Sequence, residues 1–331
     1  MNMLKTAVIG VGNMGKHHAR VYTELDSELV AVSDPDEKRG KEIAEKFSCK
    51  YYSDYKEMLE KEKIDAVSVA VPTKFHKDVC LYCIENGKHV LVEKPIADKI
   101  EDARAIIDAA KSKGIKLLVG HVERFNPAVQ KLKEIIDKRE IGDITSIIAR
   151  RVGVFPPQVL DANVIIDLAV HDIDIVNYIL GKQPTAIYAS GGKALIDKRE
   201  DYADIFMKFG KTNVLIQANW ITPVKIRNIS VTGTNGYAEV NYITQELKIY
   251  KTKLKKNFDT FNDVVEFAKP AVMTITMEGE EPLKLEIENF LESIRENKEP
   301  LVTGEDGLNA IDIALKATKM CNDKQADDMV K

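Results

Sequence analysis

Asp167, His171, Asp174 and Tyr178 are the residues whose types and spacing are best suited to moving protons. At about 100° per helical residue they fall within a wedge of roughly 60°. Leu168, Ala169, Val170, Ile173, Ile175, Val176, Ile179 and Leu180 fill most of the rest of the segment Val164 to Leu180. A helix so apolar is buried on most sides, and its polar wedge must face something polar. The wedge would also serve as the solvated edge of a core helix, but such edges carry Lys, Glu and Arg. This one sets a histidine one turn from two carboxylates, a combination whose proton affinities can be tuned for acid–base work. Lys94 is the second candidate. It ends the apolar run Lys88-His89-Val90-Leu91-Val92 within Glu93-Lys94-Pro95. Most lysines are surface charges, yet one fixed at a strand end becomes an acid or base when burial and nearby charge lower its pKa.

The elements that position Lys94 read as alternating strands and helices. Ala7-Val8-Ile9 leads into Gly10-Val11-Gly12-Asn13-Met14-Gly15, a G-x-G-x-x-G run that opens a helix with Met14, His18, Val21, Tyr22 and Leu25 on one face. Gly10 permits the tight turn, Gly12 the approach of a pyrophosphate to the backbone, and Gly15 close packing of helix on strand. A second strand, Glu28 to Ser33, ends at Asp34, where a carboxylate can accept hydrogen bonds from both adenosine ribose hydroxyls. That favours NAD over NADP, with Lys38 and Arg39 nearby as the opposing signal; Asp34 would also serve as a cap before Pro35. Ile64 to Val71 is a third strand, followed by Pro72-Thr73 and a helix beginning near Lys74; Ile100 to Lys113 is a helix and Lys116 to Gly120 a strand that ends at His121. Parallel strands bind ligands beyond their carboxyl ends, so Pro72, Thr73, Glu93 and Lys94 should share the rim of the glycine loop.

Beyond Pro127 one helix runs to about Arg139, and then the pattern changes. Ile144–Val152, Thr185–Ser190, Asp204–Phe209, Val214–Trp220, Ile226–Thr232, Tyr237–Ile243 and Leu247–Lys251 read as strands, with Asn235-Gly236 a hairpin turn. Leu283 to Glu296 and Gly307 to Met320 read as amphipathic helices. The expected class is α/β: an N-terminal Rossmann dinucleotide-binding domain over residues 1–121, and a C-terminal α+β domain over residues 122–331 with a large, mostly antiparallel open sheet. One face of that sheet would pack on helices and the other could form an oligomer interface.

Composition narrows the function classes. With 331 residues, 48 Lys and Arg against 52 Asp and Glu, and a net charge of −4, the chain gives no basic surface for nucleic acid. The basic run Lys251 to Lys256 reads as a solvated hairpin end. No apolar run approaches the roughly 20 residues of a membrane span, and Met1 to Lys5 is too short and lightly charged for a secretory signal, so a soluble, cytoplasmic protein is expected. Cys80 and Cys83 form a C-x-x-C, but inside a helix and without the second pair a zinc site needs. No metal is expected; a site built from Asp167, His171 and Asp174 is the weaker alternative.

Several separated signals together resemble the Gfo/Idh/MocA family of sugar and cyclitol dehydrogenases over essentially the whole length. They are Gly10 to Gly15, Pro72-Thr73 with His76, Gly87-Lys88-His89-Val90 running into Glu93-Lys94-Pro95, Asp167 with His171, and Thr303-Gly304-Glu305-Asp306-Gly307. The resemblance implies that Lys94, Asp167 and His171 flank the reacting carbon beside a nicotinamide. It also implies that Asn13, Met14, Asp34, Thr73, His76 and Glu93 help surround NAD, and Val11 of the glycine loop and Pro72 of the rim are expected beside them. Leu168-Ala169-Val170 and Asp161-Ala162-Asn163 stand where many members have glycines, so substrate identity does not transfer from inositol or glucose enzymes. Gly120 to Pro127 and Arg150 to Pro157 look most like a branch acting on UDP-linked N-acetylated hexoses at the 3-hydroxyl. That likeness makes a nucleotide sugar the expected substrate and Lys94, Arg124, Asn126, Arg151 and His171 the expected contacts to it. Arg150 and Arg151 alternate on a strand, so at most one reaches a site. The family also implies a homodimer or homotetramer. The competing readings are an inositol or free-sugar dehydrogenase, a UDP-uronic-acid dehydrogenase, and a non-catalytic NAD-binding regulator.

Overall fold

The computed structural model describes residues 3–155, 162–251, 254–259, 262–267, 269–277 and 279–329. Pro156, Pro157 and Asp161, and Thr252 and Lys253 of the basic run, lie outside the described residues. The chain divides into two compact units: residues 1–125 with 281–311, and residues 126–280 with 312–331. The first unit therefore takes in a segment from the later part of the chain, which the expected boundary near residue 121 assigns to the second domain.

In the first unit, β1 (Leu4–Ile9), β2 (Ser27–Ser33), β3 (Lys50–Tyr52), β4 (Ala66–Val69), β5 (His89–Glu93) and β6 (Leu117–Gly120) form a sheet in the order β3-β2-β1-β4-β5-β6. Every pairing in it is parallel. Strand order reverses at β1, between β2 and β4, which creates the crevice where such sheets take ligands. The connecting helices are α1 (Gly15–Glu24), α2 (Glu37–Phe47), α3 (Tyr55–Lys61), α4 (His76–Glu85) and α5 (Ile100–Lys113). Their ends follow local chemistry: Asp36 caps α2 by accepting from the Arg39 N–H, and Gly114 ends α5 in the left-handed region at φ 65°. β3 escapes a sequence reading because three residues carry no periodicity.

The second unit begins with α6 (Pro127–Asp137), where Asn126 accepts from the Ala128 N–H and Pro127 occupies the first turn. Its strands are β7 (Ile144–Val152), β8 (Ala186–Gly192), β9 (Tyr202–Phe209), β10 (Thr212–Asn219), β11 (Ile226–Gly233), β12 (Gly236–Asn241) and β13 (Glu246–Lys251), then β14 (Leu254–Asp259), β15 (Asn262–Phe267) and β16 (Ala271–Thr276). Eight of them form one sheet in the order β16-β13-β12-β11-β7-β10-β9-β8. Only β7 and β10 pair in parallel there; the other neighbours are antiparallel. β14 and β15 pair separately. The polar-wedge helix is α7 (Val170–Leu180), ended by Gly181 at φ 61° and preceded by a π-helical turn over Ile165–Ala169.

α8 (Pro282–Arg295) and α9 (Gly304–Met329) complete the chain. α8 and the start of α9 belong to the first unit. Gly304 and Gly307 show why: a Cβ at Gly304 would lie 2.7 Å from Ile107 and one at Gly307 2.8 Å from Val119. The glycines of the late T-G-E-D-G run thus let a helix start press onto α5 and β6. No helix among the described residues is long and apolar enough to cross a membrane.

Candidate active site

The glycine loop joins β1 to α1. Gly10 sits at φ 85°, where a side chain would be strained. A Cβ at Gly15 would lie 1.8 Å from the Gly10 carbonyl oxygen, so only glycine lets the helix start so close to the turn. At Gly12 a Cβ would meet nothing within 4 Å, which leaves open space above the loop backbone. Asn13 and Met14 are exposed at the mouth.

Asp34 lies just past β2 with its carboxylate fully engaged. Its Oδ2 accepts from the Val11 N–H at 2.9 Å and its Oδ1 from the Asp36 N–H at 2.9 Å. Arg39 adds two bonds, Nε to Oδ2 at 3.1 Å and Nη2 to Oδ1 at 2.8 Å. Burial pushes this carboxyl up, but the Arg39 hydrogen bonds, the two backbone donors and the guanidinium charge outweigh it and hold Asp34 below the ordinary aspartate range. These residues fit a dinucleotide: open space over oriented amide groups, and an ionised carboxylate at the end of β2.

Pro72, Thr73, His76, Glu93 and Lys94 come together at the carboxyl ends of β4 and β5. Thr73 opens a 3-10 turn, Thr73–Phe75, that leads into α4. His76 is buried, with Nδ1 2.9 Å from the Pro95 carbonyl and Nε2 2.9 Å from that of Val71. It braces the loop on either side of the rim; burial lowers its pKa, and the two carbonyls only partly oppose that. The Lys94-Pro95 peptide is cis.

Glu93 turns inward. Its Oε1 lies 2.9 Å from His18 Nε2, and its Oε2 accepts from the Lys94 backbone N–H at 3.2 Å. His18 Nδ1 in turn lies 3.0 Å from Ser68 Oγ, which lies 2.8 Å from the Tyr22 hydroxyl. The sequence presents His18 and Tyr22 as the apolar-facing side of α1. Their polar ends become legible only when β4 supplies Ser68 between them.

Arg124, on the 3-10 turn Val122–Phe125, is buried, and its Nη2 lies 3.1 Å from Asp306 Oδ1. Asp306 also accepts from the Thr303 N–H at 2.8 Å and hydroxyl at 2.7 Å. Burial raises the Asp306 carboxyl, but Arg124 and Thr303 together hold it below its ordinary range. The late T-G-E-D-G run therefore also anchors an arginine.

In the second unit Asp167 and His171 are both half-buried and lie four residues apart, but the turn between them is π-helical. Such a turn holds one residue more than an α-turn and is frequent at functional sites. The simple wheel over Val164 to Leu180 therefore does not hold before Val170. Asn163 braces this turn: its Oδ1 accepts from the Ile165 and Ile166 N–H groups at 3.1 and 3.0 Å, and its Nδ2 donates to Glu200 Oε2 at 2.8 Å. Asp174 is buried, whereas Tyr178 is half-buried with Lys133 Nζ 5.7 Å from its ring centroid.

Asp172, absent from the polar wedge, is 0% exposed and receives Arg151 Nε at 2.7 Å and Nη2 at 3.2 Å. Tyr242 donates to Asp172 Oδ1 at 3.1 Å, and the Arg151 guanidinium lies 4.9 Å from the Tyr242 ring centroid. Arg151 is thus engaged internally with α7, while Arg150, its neighbour, is exposed. Asn126 is likewise committed: besides capping α6, its Nδ2 donates to the Tyr242 carbonyl at 3.1 Å. These are long-range pairings, without a signal in local spacing.

Cys80 and Cys83 are buried thiols. Burial pushes both up, Cys83 to about 12, opposite to what a reactive thiolate requires. Among the described residues no group of three His, Cys, Asp or Glu side chains is placed to hold a metal ion.

A Rossmann unit with a dinucleotide loop and an E-K-P rim, together with an antiparallel-sheet unit carrying Asp167 and His171, defines a nicotinamide-dependent dehydrogenase. Residues 4–121 match the oxidoreductase family's NAD-binding Rossmann fold, and residues 133–329 its C-terminal alpha/beta domain. The chain belongs to the Gfo/Idh/MocA oxidoreductase family, NAD(P)-dependent dehydrogenases that act on CH–OH groups of sugars and related polyols. It is 30% identical to UDP-N-acetylglucosamine 3-dehydrogenase of Acidithiobacillus ferrooxidans over 314 residues, covering 95% of this chain and 96% of that protein. It is 29% identical to scyllo-inositol 2-dehydrogenase (NAD(+)) of Bacillus subtilis, covering 96% and 94%. A solved structure of the Acidithiobacillus enzyme superposes with a TM-score of 0.82 at 29% identity, over 97% of this chain and 98% of that one.

Proposed function

We propose that the protein oxidises the 3-hydroxyl of UDP-N-acetylglucosamine with NAD, giving the 3-keto sugar nucleotide, NADH and a proton. The observation that carries the chemistry is Lys94 fixed at the carboxyl end of β5, in a unit whose glycine loop and Asp34 fit a dinucleotide. Near full-length similarity to the Acidithiobacillus enzyme supports the choice of substrate. Asp34 favours NAD as the cofactor, since an ionised carboxylate repels a 2′-phosphate. When bound, NAD supplies the hydride acceptor.

The protein's own part is to orient the sugar and take up the hydroxyl proton. Lys94 and His171 are the two candidates for that proton, and Asp167 orients or charges the relay. Glu93 holds the Lys94 backbone, Arg124 offers a guanidinium anchored by Asp306, and the Arg151–Asp172 pair fixes α7, on which His171 sits. With Arg151 and Asn126 engaged internally, their part in substrate binding is support rather than direct contact. The exposed face of the eight-stranded sheet, with Tyr188, Phe206, Leu215 and Ile148 in one cross-strand row, suits a second copy of the chain.

The deciding experiment is NADH formation with UDP-N-acetylglucosamine, followed by identification of the oxidised carbon. Lys94→Ala and His171→Ala are expected to lower kcat by about 10²- to 10⁴-fold with NAD binding retained. Full activity in both variants would overturn the assignment. The 29% identity to an inositol dehydrogenase favours one second reading, a cyclitol or free-sugar substrate. Turnover of scyllo- or myo-inositol, with none of the sugar nucleotide, would establish it.

A further inference from the structure

Glu286 is a buried acid to which the proposed chemistry assigns no role. It lies on the inner face of α8, 0% exposed, and neither carboxyl oxygen has a hydrogen-bond partner among the described residues. Loss of water, and then the negative charge of Glu93, push it well above the ordinary carboxylate range. Glu93 behaves in the opposite way. Burial raises it, but the His18 hydrogen bond, with His18, Lys94 and His76 nearby, holds it below that range.

Glu93 ends a continuous row of polar groups that runs through His18, Ser68 and Tyr22, and α8, which carries Glu286, packs against α1, which carries His18 and Tyr22. A carboxylate only accepts, so His18 Nε2 carries the hydrogen toward Glu93. With a neutral imidazole, Ser68 donates to His18 and Tyr22 donates to Ser68, so every donor in the row points toward Glu93. Tyr22 keeps its proton, because burial raises its phenol. The titratable and charged groups on the buried side of α1, which packs against α8, are His18 and Tyr22. Those on the 3-10 turn 122–125, also packed there, are Glu123 and Arg124. Of these and the rim groups, Glu93 is the charge that opposes ionisation of Glu286.

We propose that Glu286 and Glu93 form one interacting carboxyl pair that carries a single proton, held on Glu286, and that Glu286 is thereby a positioning residue that leaves the Glu93 charge unopposed by a second carboxylate behind the Lys94 backbone. Two interacting acids titrate as a pair, and the first charge forms where donors stabilise it. His18 and the Lys94 amide supply donors to Glu93, whereas Glu286 has none. A second charge on Glu286 would set two carboxylates against each other and weaken the hold on the Lys94 backbone.

The functional consequence rests on Lys94 acting in catalysis, but the pair itself is testable without turnover. Infrared titration of the full-length protein with isotope-labelled glutamate reads the protonated carboxyl stretch directly. The wild type should show such a band at neutral pH, and Glu286→Gln should lose it. In Glu93→Gln, with Glu286 intact, the band should remain but its midpoint should fall by about one pH unit or more. The alkaline fall of kcat in the wild type should move up by a similar amount, or vanish, in Glu286→Gln. No protonated band at neutral pH, an unchanged midpoint in Glu93→Gln, or an unchanged alkaline limb in Glu286→Gln would overturn the proposal. If both infrared results hold while Lys94→Ala keeps full activity, the proposed function fails and the carboxyl pair stands.

Discussion

Removing Asp172 alone should be among the most destabilising single changes in the second unit. Its carboxylate is 0% exposed and the Arg151 guanidinium side chain 4% exposed, so neither regains water when the other is lost. Two hydrogen bonds from Arg151 and one from Tyr242 end on it. Asp172→Ala breaks this buried ion pair from one side, which costs about 3–5 kcal/mol. For a unit of this size about 2–4 °C of melting temperature is lost per kcal/mol, so the midpoint should fall by roughly 6–20 °C. The double variant Arg151→Met/Asp172→Leu removes both charges and refills the space with apolar atoms. It should recover most of the loss, because a paired buried charge is often no better than a well-packed hydrophobic pair. Thermal unfolding of the wild type, the two single variants and the double variant closes the cycle and isolates the coupling. His171 directly precedes Asp172 on α7, so Asp172→Ala should also lower kcat. A loss below about 1 kcal/mol for Asp172→Ala, or a double variant no more stable than the worse single one, would refute the argument.

That pairing marks where local sequence reading stops. Gly10, Gly12 and Gly15 were legible because each meets a backbone requirement inside one β-α-β unit, and Asp34 because it directly follows the second strand of that unit. The helix Ile100 to Lys113 was legible to the residue, since Gly114 offers the left-handed stop. The wedge on Val164 to Leu180 was legible only in part. A fixed helical period cannot anticipate the π turn at Ile165–Ala169, which depends on Asn163 capping two N–H groups while bonded to Glu200. Asp172 and Arg151 were missed as a pair because their bond spans separate elements, β7 and α7. The placement of 281–311 with the first unit was hidden for a related reason: an amphipathic helix announces that it has a buried face, not what will cover it. The glycines at 304 and 307 held the clue, but only the volumes of Ile107 and Val119 give it meaning.

Phe206→Glu places a charge at the centre of the exposed row Tyr188, Phe206, Leu215 and Ile148; if this face holds a second copy of the chain, as proposed, the variant should sediment as smaller species than the wild type at fixed concentration. A wild type already monomeric, or a variant of unchanged mass, would remove the sheet face from consideration. Asp34 makes the acid side of the stability profile diagnostic. Its folded-state pKa lies below the unfolded value because Arg39 and two backbone N–H groups favour the carboxylate over the opposing effect of burial. The folded state therefore binds this proton less readily than the unfolded chain. The stabilisation is complete above the unfolded aspartate value, about pH 4, and is lost as pH falls through the lower folded value. Urea midpoints measured between about pH 7 and pH 3 should decline less in Asp34→Asn than in the wild type, because the variant has no carboxylate to protonate there. The same substitution removes the carboxylate that holds Arg39 through two hydrogen bonds and leaves it Asp36 at 3.6 Å, so the ratio of kcat/KM for NADP to that for NAD should rise. An unchanged acid slope together with an unchanged cofactor ratio would refute both parts of the argument.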